Sequence, residues 1–122
     1  MELNGREVGF AYNMRAAKML VDLAPDRDLT KIGDALTGKH GNIVDNQAKF
    51  IIALSVAYSQ SAEHRAEGAT PVTMDELLDM DQEEFQAVFL EASNAFIEGQ
   101  KTNVNTKPAP RKKAAAQPEN QS

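Results

Sequence analysis

The chain has 122 residues, with 13 Lys and Arg against 18 Asp and Glu, and no Cys or Trp. That is room for one folded domain; the missing cysteines exclude disulfides, thiolate metal sites and a Cys nucleophile, and the acidic balance disfavours nucleic acid as a whole-molecule partner. The longest uncharged run, residues 50–62, is 13 residues long, short of the roughly 20 that a membrane span needs, and the acidic start at Glu2 does not read as a secretory signal.

Glu2-Leu3-Asn4-Gly5-Arg6-Glu7-Val8 opens the chain with a strong hairpin signal, because Asn and Gly both tolerate the positive φ of a type I′ turn. Strand one must be very short, with Leu3 as its main apolar contact. Strand two is expected to run through Val8, Phe10 and Tyr12, which alternate onto one face. A lone hairpin is marginal in water, so this one must pack on the rest of the fold or pair with another chain.

Asn13 is placed to cap a helix from Met14 to Ala24, with Ala17, Leu20, Val21 and Ala24 as its apolar stripe and Pro25 as its stop. Asp26 or Asp28 then caps a shorter helix carrying Leu29, Ile32 and Leu36. Gly38 and Gly41 bracket a loop. From Ile43 to about Arg65 two periods compete. Phe50, Ile52, Leu54, Val56 and Tyr58 alternate as a strand would, while Val44, Ala48, Ile51, Ser55 and Ala62 fit a helix face. More than 20 residues pass without Gly or Pro, and that length decides for one long helix. Its centre is apolar on nearly every side, so it belongs in the middle of the fold or in an oligomer interface.

Two helix starts follow the Gly68–Pro71 linker. Thr73-Met-Asp-Glu76 is a capping-box pattern ahead of Leu77 and Leu78, and Asp81-Gln-Glu-Glu84 is a second ahead of Phe85, Val88, Phe89, Ala92 and Phe96. Gly99 is expected to end that last helix. Residues 1–100 hold 8 Lys and Arg and 17 Asp and Glu, a net −9. Residues 101–122 hold Lys101, Lys107, Arg111, Lys112 and Lys113 against Glu119, a net +4. With Val104 and four Ala as their only apolar side chains and Pro108, Pro110 and Pro118 among them, they read as a disordered basic tail. The expected architecture is mainly α with a small β element: a short N-terminal hairpin and a bundle of four to five helices over 1–100, then the tail.

Little in this pattern carries chemistry. His40 sits in the glycine-bracketed loop and His64 near the end of the long helix, neither with a second ligand at metal spacing. Ser55, Ser59 and Ser61 lack a nucleophile turn and an assignable base. Lys39 between Gly38 and Gly41 is too small a signal for a phosphate loop. The carboxylates Asp75, Glu76, Asp79, Asp81, Glu83 and Glu84 are interrupted by Leu77, Leu78 and Met80 and lack the glycine of a calcium loop; favourable interaction with helix N-termini explains them more simply, with an acidic docking edge for a basic partner as the alternative. Phe85, Phe89 and Phe96 read as core, with a groove for a partner helix as the alternative. No catalytic, metal or cofactor site is expected, and an enzyme is the least favoured class.

The order of elements is more informative than any site. A hairpin opening Leu3-Asn4-Gly5-Arg6 and closing Val8-Gly-Phe10-Ala-Tyr12-Asn13 leads into a helix. A long Ala-rich helix with Phe50-Ile-Ile-Ala-Leu54 follows, then Thr73-Met-Asp-Glu-Leu-Leu-Asp-Met-Asp81, then Phe85-Gln-Ala-Val-Phe-Leu-Glu-Ala92 and a basic tail. Over residues 1–100 this resembles the tail assembly chaperones of long-tailed bacteriophages.

The resemblance implies a non-enzymatic function: binding the aggregation-prone tape measure protein, keeping it soluble and helping to recruit tail tube subunits. It also implies self-association, residence in the host cytoplasm and absence from the mature virion. A longer product made by ribosomal frameshifting is a further implication, which the Lys112-Lys113 pair allows. Flexible Met14, Met19, Met74 and Met80 and the −9 body suit the holding of an apolar client. Candidate interaction residues are Phe10, Tyr12, Phe50, Leu54, Val56, Tyr58, Phe85 and Phe89. The Phe10/Tyr12 face or the Phe50–Tyr58 face is expected to be exposed in a monomer. A structural virion subunit, at the tail or the head–tail junction, is the alternative; a regulator touching nucleic acid weakly through its tail is a third reading.

Overall fold

Asn4 and Gly5 adopt φ of 53° and 80°, the pair of positive values that a type I′ turn requires. In the computed structural model, which describes residues 1–101, they join β1 (Glu2–Leu3) to β2 (Arg6–Glu7), with Leu3 opposite Arg6 and Glu2 opposite Glu7. Val8 N–H donates to the Met1 carbonyl at 2.8 Å, closing the ladder one step further. Strand two stops at Glu7, rather than running to Tyr12 as the alternation suggested, because the backbone beyond it turns to the helices for its hydrogen bonds.

Residues 8–12 instead form a strap across the helices. Ala11 N–H donates to the Leu54 carbonyl at 3.0 Å. Gly9 lies so close to the Tyr58 ring that a Cβ there would sit 2.4 Å from it, which is why the strap carries glycine at that point. The strap buries Val8 and Tyr12 and half-buries Phe10.

Among the described residues six helices follow: α1 (Met14–Leu20), α2 (Ile32–Leu36), α3 (Ile43–Ser59), α4 (Ala62–Ala66), α5 (Met74–Leu78) and α6 (Gln82–Gly99). Asn13 caps α1 by accepting the Ala16 N–H. The helix is shorter than its apolar stripe implied. Ala24 precedes Pro25 and is extended at ψ 144°, and the chain tightens into three-residue turns before reaching it. Two 3₁₀ turns, Pro25–Arg27 and Leu29–Lys31, lead into α2, the second capped by Asp28.

The long helix expected from Ile43 to Arg65 is two helices. Gln60 leaves helical geometry, and the Ser61 hydroxyl accepts the His64 N–H to start α4 afresh. That split raises the helix number above four to five. Thr73 and Glu76 form a full reciprocal capping box at α5, and Asp81 caps α6 by accepting the Glu84 N–H.

Helix α3 is the centre of the fold. It packs against α1, α2, α4, α5 and α6, and Ala48, Phe50, Ile51, Ala53, Leu54 and Ala57 are buried along its length. Phe50 stands 5.5 Å from Phe96 and 5.7 Å from Phe89, ring centre to ring centre, and Phe96 meets Tyr12 edge-on at 4.6 Å. This aromatic chain joins strap, α3 and α6 into one core, with geometry that aromatic quadrupoles favour. The expected tail, 102–122, lies outside the described residues.

Candidate interaction surface

The eight residues that the sequence nominates do not form one face. Tyr12, Phe50 and Leu54 are at most 2% exposed. They lie inside the monomer, because α3 has helices on several sides and the strap on another. The expected exposed Phe10/Tyr12 and Phe50–Tyr58 faces are therefore corrected: Tyr12, Phe50 and Leu54 belong to the folding core. Burial also pushes the Tyr12 phenol above its ordinary range. Phe10, Phe85 and Phe89 are half-buried and pack against that core. Val56 and Tyr58 are half-buried, and Tyr58 is covered by the His64 ring, stacked at 3.7 Å.

Several polar residues do structural tasks that the sequence did not announce. The buried Asn46 amide donates to the Ala35 carbonyl at 3.1 Å and to the His40 carbonyl at 2.8 Å. Gln47 donates to the Leu36 carbonyl at 2.9 Å. Together they satisfy carbonyls at the end of α2, which a helix of five residues leaves without partners of its own. Ser55, also buried, accepts the Val72 N–H at 2.7 Å and pins the linker to α3.

The groups with chemical potential do not converge. Ser61 Oγ lies 2.8 Å from His64 Nδ1, but the same hydroxyl donates to the Tyr58 carbonyl at 2.9 Å and caps α4. That is a helix-start motif and lacks the third, orienting group of a nucleophile set. His40 and Lys39 are exposed in their loop. Within the acidic stretch, Glu76 is taken up by Arg6, Asn4 and Thr73. Among the described residues, no three His, Asp or Glu side chains are grouped to hold a metal ion, and no helix is long and apolar enough to cross a membrane.

The surface does carry large apolar side chains, at positions other than those nominated. Leu78, Leu90, Ile97, Met14 and Val44 are each about half to two-thirds exposed. Leu90 and Ile97 are seven residues apart on α6, with Asn94 between them and Ala87 one turn before Leu90. The signal was present in the sequence. The stripe Phe85, Val88, Phe89, Ala92 and Phe96 accounts for one side of α6, and Leu90 and Ile97 fall on the other.

Compared with known proteins, the chain matches no family model, no characterised protein and no solved structure.

Proposed function

We propose that this chain is a tail assembly chaperone of a long-tailed bacteriophage. It binds the tape measure protein, keeps it soluble, and helps to bring tail tube subunits to it. The observation that carries the reading is the order of elements that prompted the resemblance, a hairpin, a short helix, a central Ala-rich helix, a capping-box helix and a long amphipathic helix. The charge supports it: a net −9 over residues 1–100 keeps a complex with an apolar client in solution. Exposed apolar side chains on α5 and α6, and Met14 on α1, offer a client adaptable contacts. On this reading the chain is not an enzyme, self-associates, works in the host cytoplasm and is absent from the finished particle.

Two measurements test the reading together. Coexpression with the tape measure protein encoded beside it should move that protein from the insoluble to the soluble fraction. Mass spectrometry of purified virions should find no copies of this chain. A stoichiometric complement in the particle, with no effect on solubility, overturns the reading in favour of a structural tail or head–tail joining subunit.

A further inference from the structure

Helix α6 is amphipathic twice. Its inner face, Val88, Ala92 and Gly99 with Phe89 and Phe96 beside them, packs on α3 and the strap. At 100° per residue, Ala87, Leu90, Asn94 and Ile97 fall on the opposite side, at the 3–4–3 spacing of a coiled-coil seam. Leu90 is 60% exposed and Ile97 49%, so the seam faces outward along about 15 Å of helix.

The seam has unlike borders. One edge carries Glu84, Glu91 and Glu98, a carboxylate at every seventh residue; all three are exposed, and Glu98 lies 3.9 Å from Lys101 just past the helix. The other edge carries Gln86, Ser93 and Gln100, with no charge. In coiled coils the residues bordering the apolar seam select the partner, because they meet the partner's bordering residues across the interface. A row of carboxylates on one edge selects Lys or Arg opposite it.

A second copy of this chain fits less well. Antiparallel pairing would set the glutamate rows against one another. Parallel pairing would face them with Gln and Ser, leaving two strongly acidic bodies side by side, with Lys101 at the seam's end already 3.9 Å from Glu98 of its own chain. The chain's own residues 102–122 fit poorly too, since Val104 is their one large apolar side chain. Asn94 at a seam position adds discrimination: it is satisfied by a polar side chain across the seam and penalises a wholly aliphatic one.

We propose that the outer face of α6 is a docking site for an amphipathic helix with apolar residues at seam spacing and Lys or Arg along the edge facing Glu84 and Glu91. This goes beyond the chaperone reading and does not depend on whose helix is bound.

The test titrates the full chain against three synthetic helical peptides by fluorescence anisotropy. One has a Leu/Ile seam with Lys borders, the second the same seam with Glu borders, and the third the first peptide's composition scrambled out of register. The Lys-bordered peptide is expected to bind at least about tenfold more tightly than either of the others. The L90D and I97D variants, at exposed positions, should each remove that preference, while V44D, at an exposed position in the first turn of α3, should leave it unchanged. E84K/E91K should invert it towards the Glu-bordered peptide. Equal binding of the scrambled peptide shows non-specific attraction to an acidic body and overturns the proposal. So does binding insensitive to L90D and I97D. Sedimentation of the free chain adds two outcomes. A dimer abolished by L90D assigns the face to a second copy and overturns the proposal, whereas a monomer, or a dimer that L90D leaves intact, supports it. A gain in peptide affinity in the full-length K112E/K113E variant assigns the face to the chain's own tail and likewise overturns it.

Discussion

Arg6 and Glu76, 70 residues apart, meet end to end: one guanidinium nitrogen lies 2.5 Å and the other 2.8 Å from the two carboxylate oxygens. The same guanidinium donates to the Thr70 hydroxyl and the Pro71 carbonyl. The same carboxylate accepts from Asn4 of the hairpin turn and from the Thr73 N–H that it caps. A hairpin that could not stand alone is thereby tied to the α5 helix start through one bidentate pair.

Glu76→Gln should loosen both ends at once. It removes the charge that Arg6 grips and weakens the capping box, for a loss of about 1–2 kcal/mol after allowing for the solvent that reaches the pair. Hydrogen exchange should show the Thr73–Leu77 amides and the Val8 amide losing protection together. Loss confined to α5 would mean that the hairpin is held by Leu3 and Val8 alone.

The Glu76 carboxyl is also a pH reporter. Arg6 above all, then Asn4 and the Thr73 N–H, hold it far below its ordinary value of 4.5. A carboxyl whose folded pKa is depressed contributes its stability above the unfolded value and loses it as pH falls. The wild-type chain should therefore lose stability steadily as pH falls below 4.5, and the slope should be shallower in Glu76→Gln. Urea midpoints from neutral to strongly acidic pH measure it. Parallel slopes in the two proteins would place the acid sensitivity elsewhere.

Much of this fold was legible because its cues are local. Asn4-Gly5 demands a turn, Thr73–Glu76 and Asp81–Glu84 demand helix starts, and the Phe85–Phe96 stripe demands an inner face. The misreadings share a cause, which is tertiary. Alternation at Val8, Phe10 and Tyr12 reads as strand, yet a strand needs a partner and β1 has only two residues. Nothing in the run from Ile43 to Arg65 announces the break at Gln60, because Ser61 is one of several serines and only its bond to the His64 N–H makes it a cap. The expected exposure of Phe50 and Leu54 fails for a related reason. Apolar density on every side of a helix marks enclosure, whereas the sparser stripe of Leu90 and Ile97 on α6 is the one left exposed.

Gly99 illustrates the same point. It is the last residue of α6, as the sequence leads one to expect, but it does not end the helix through a positive φ; it is buried, and a Cβ there would come within 2.6 Å of the Tyr12 carbonyl oxygen and Cβ. Alanine normally stabilises a helix interior by about 1 kcal/mol over glycine. Here Gly99→Ala should instead destabilise by about 1–3 kcal/mol, because the backbone of the strap must move away. Thermal melting decides the sign; a higher midpoint would show that α6 and the strap can part without cost.

Asn46→Ala should cost about 1–3 kcal/mol, although it removes only one small side chain from α3. The Ala35 and His40 carbonyls would lose their donor in a place that water reaches poorly. The expected signature is local: faster exchange of α2 amides, with those of α6 unchanged. Asn46→Asp should be no better, since a carboxylate cannot donate to a carbonyl. Uniform loss of protection across all helices would show that α2 unfolds only with the whole domain.

Phe50→Ala separates core from surface most directly. The side chain is fully buried and faces both Phe89 and Phe96, so truncation should cost about 3–5 kcal/mol. That is a large share of the roughly 5–15 kcal/mol holding a domain of this size together. The variant should melt far below the wild type, or fail to fold. Leu90→Ala on the outer side of α6 should shift the midpoint little, since its side chain is 60% exposed. Circular dichroism melts of the two variants, with sedimentation of each, make the comparison. A folded Phe50→Ala protein with wild-type stability and altered association would return Phe50 to the surface; a strongly destabilised Leu90→Ala protein would take the outer face of α6 out of solvent and give it to the core.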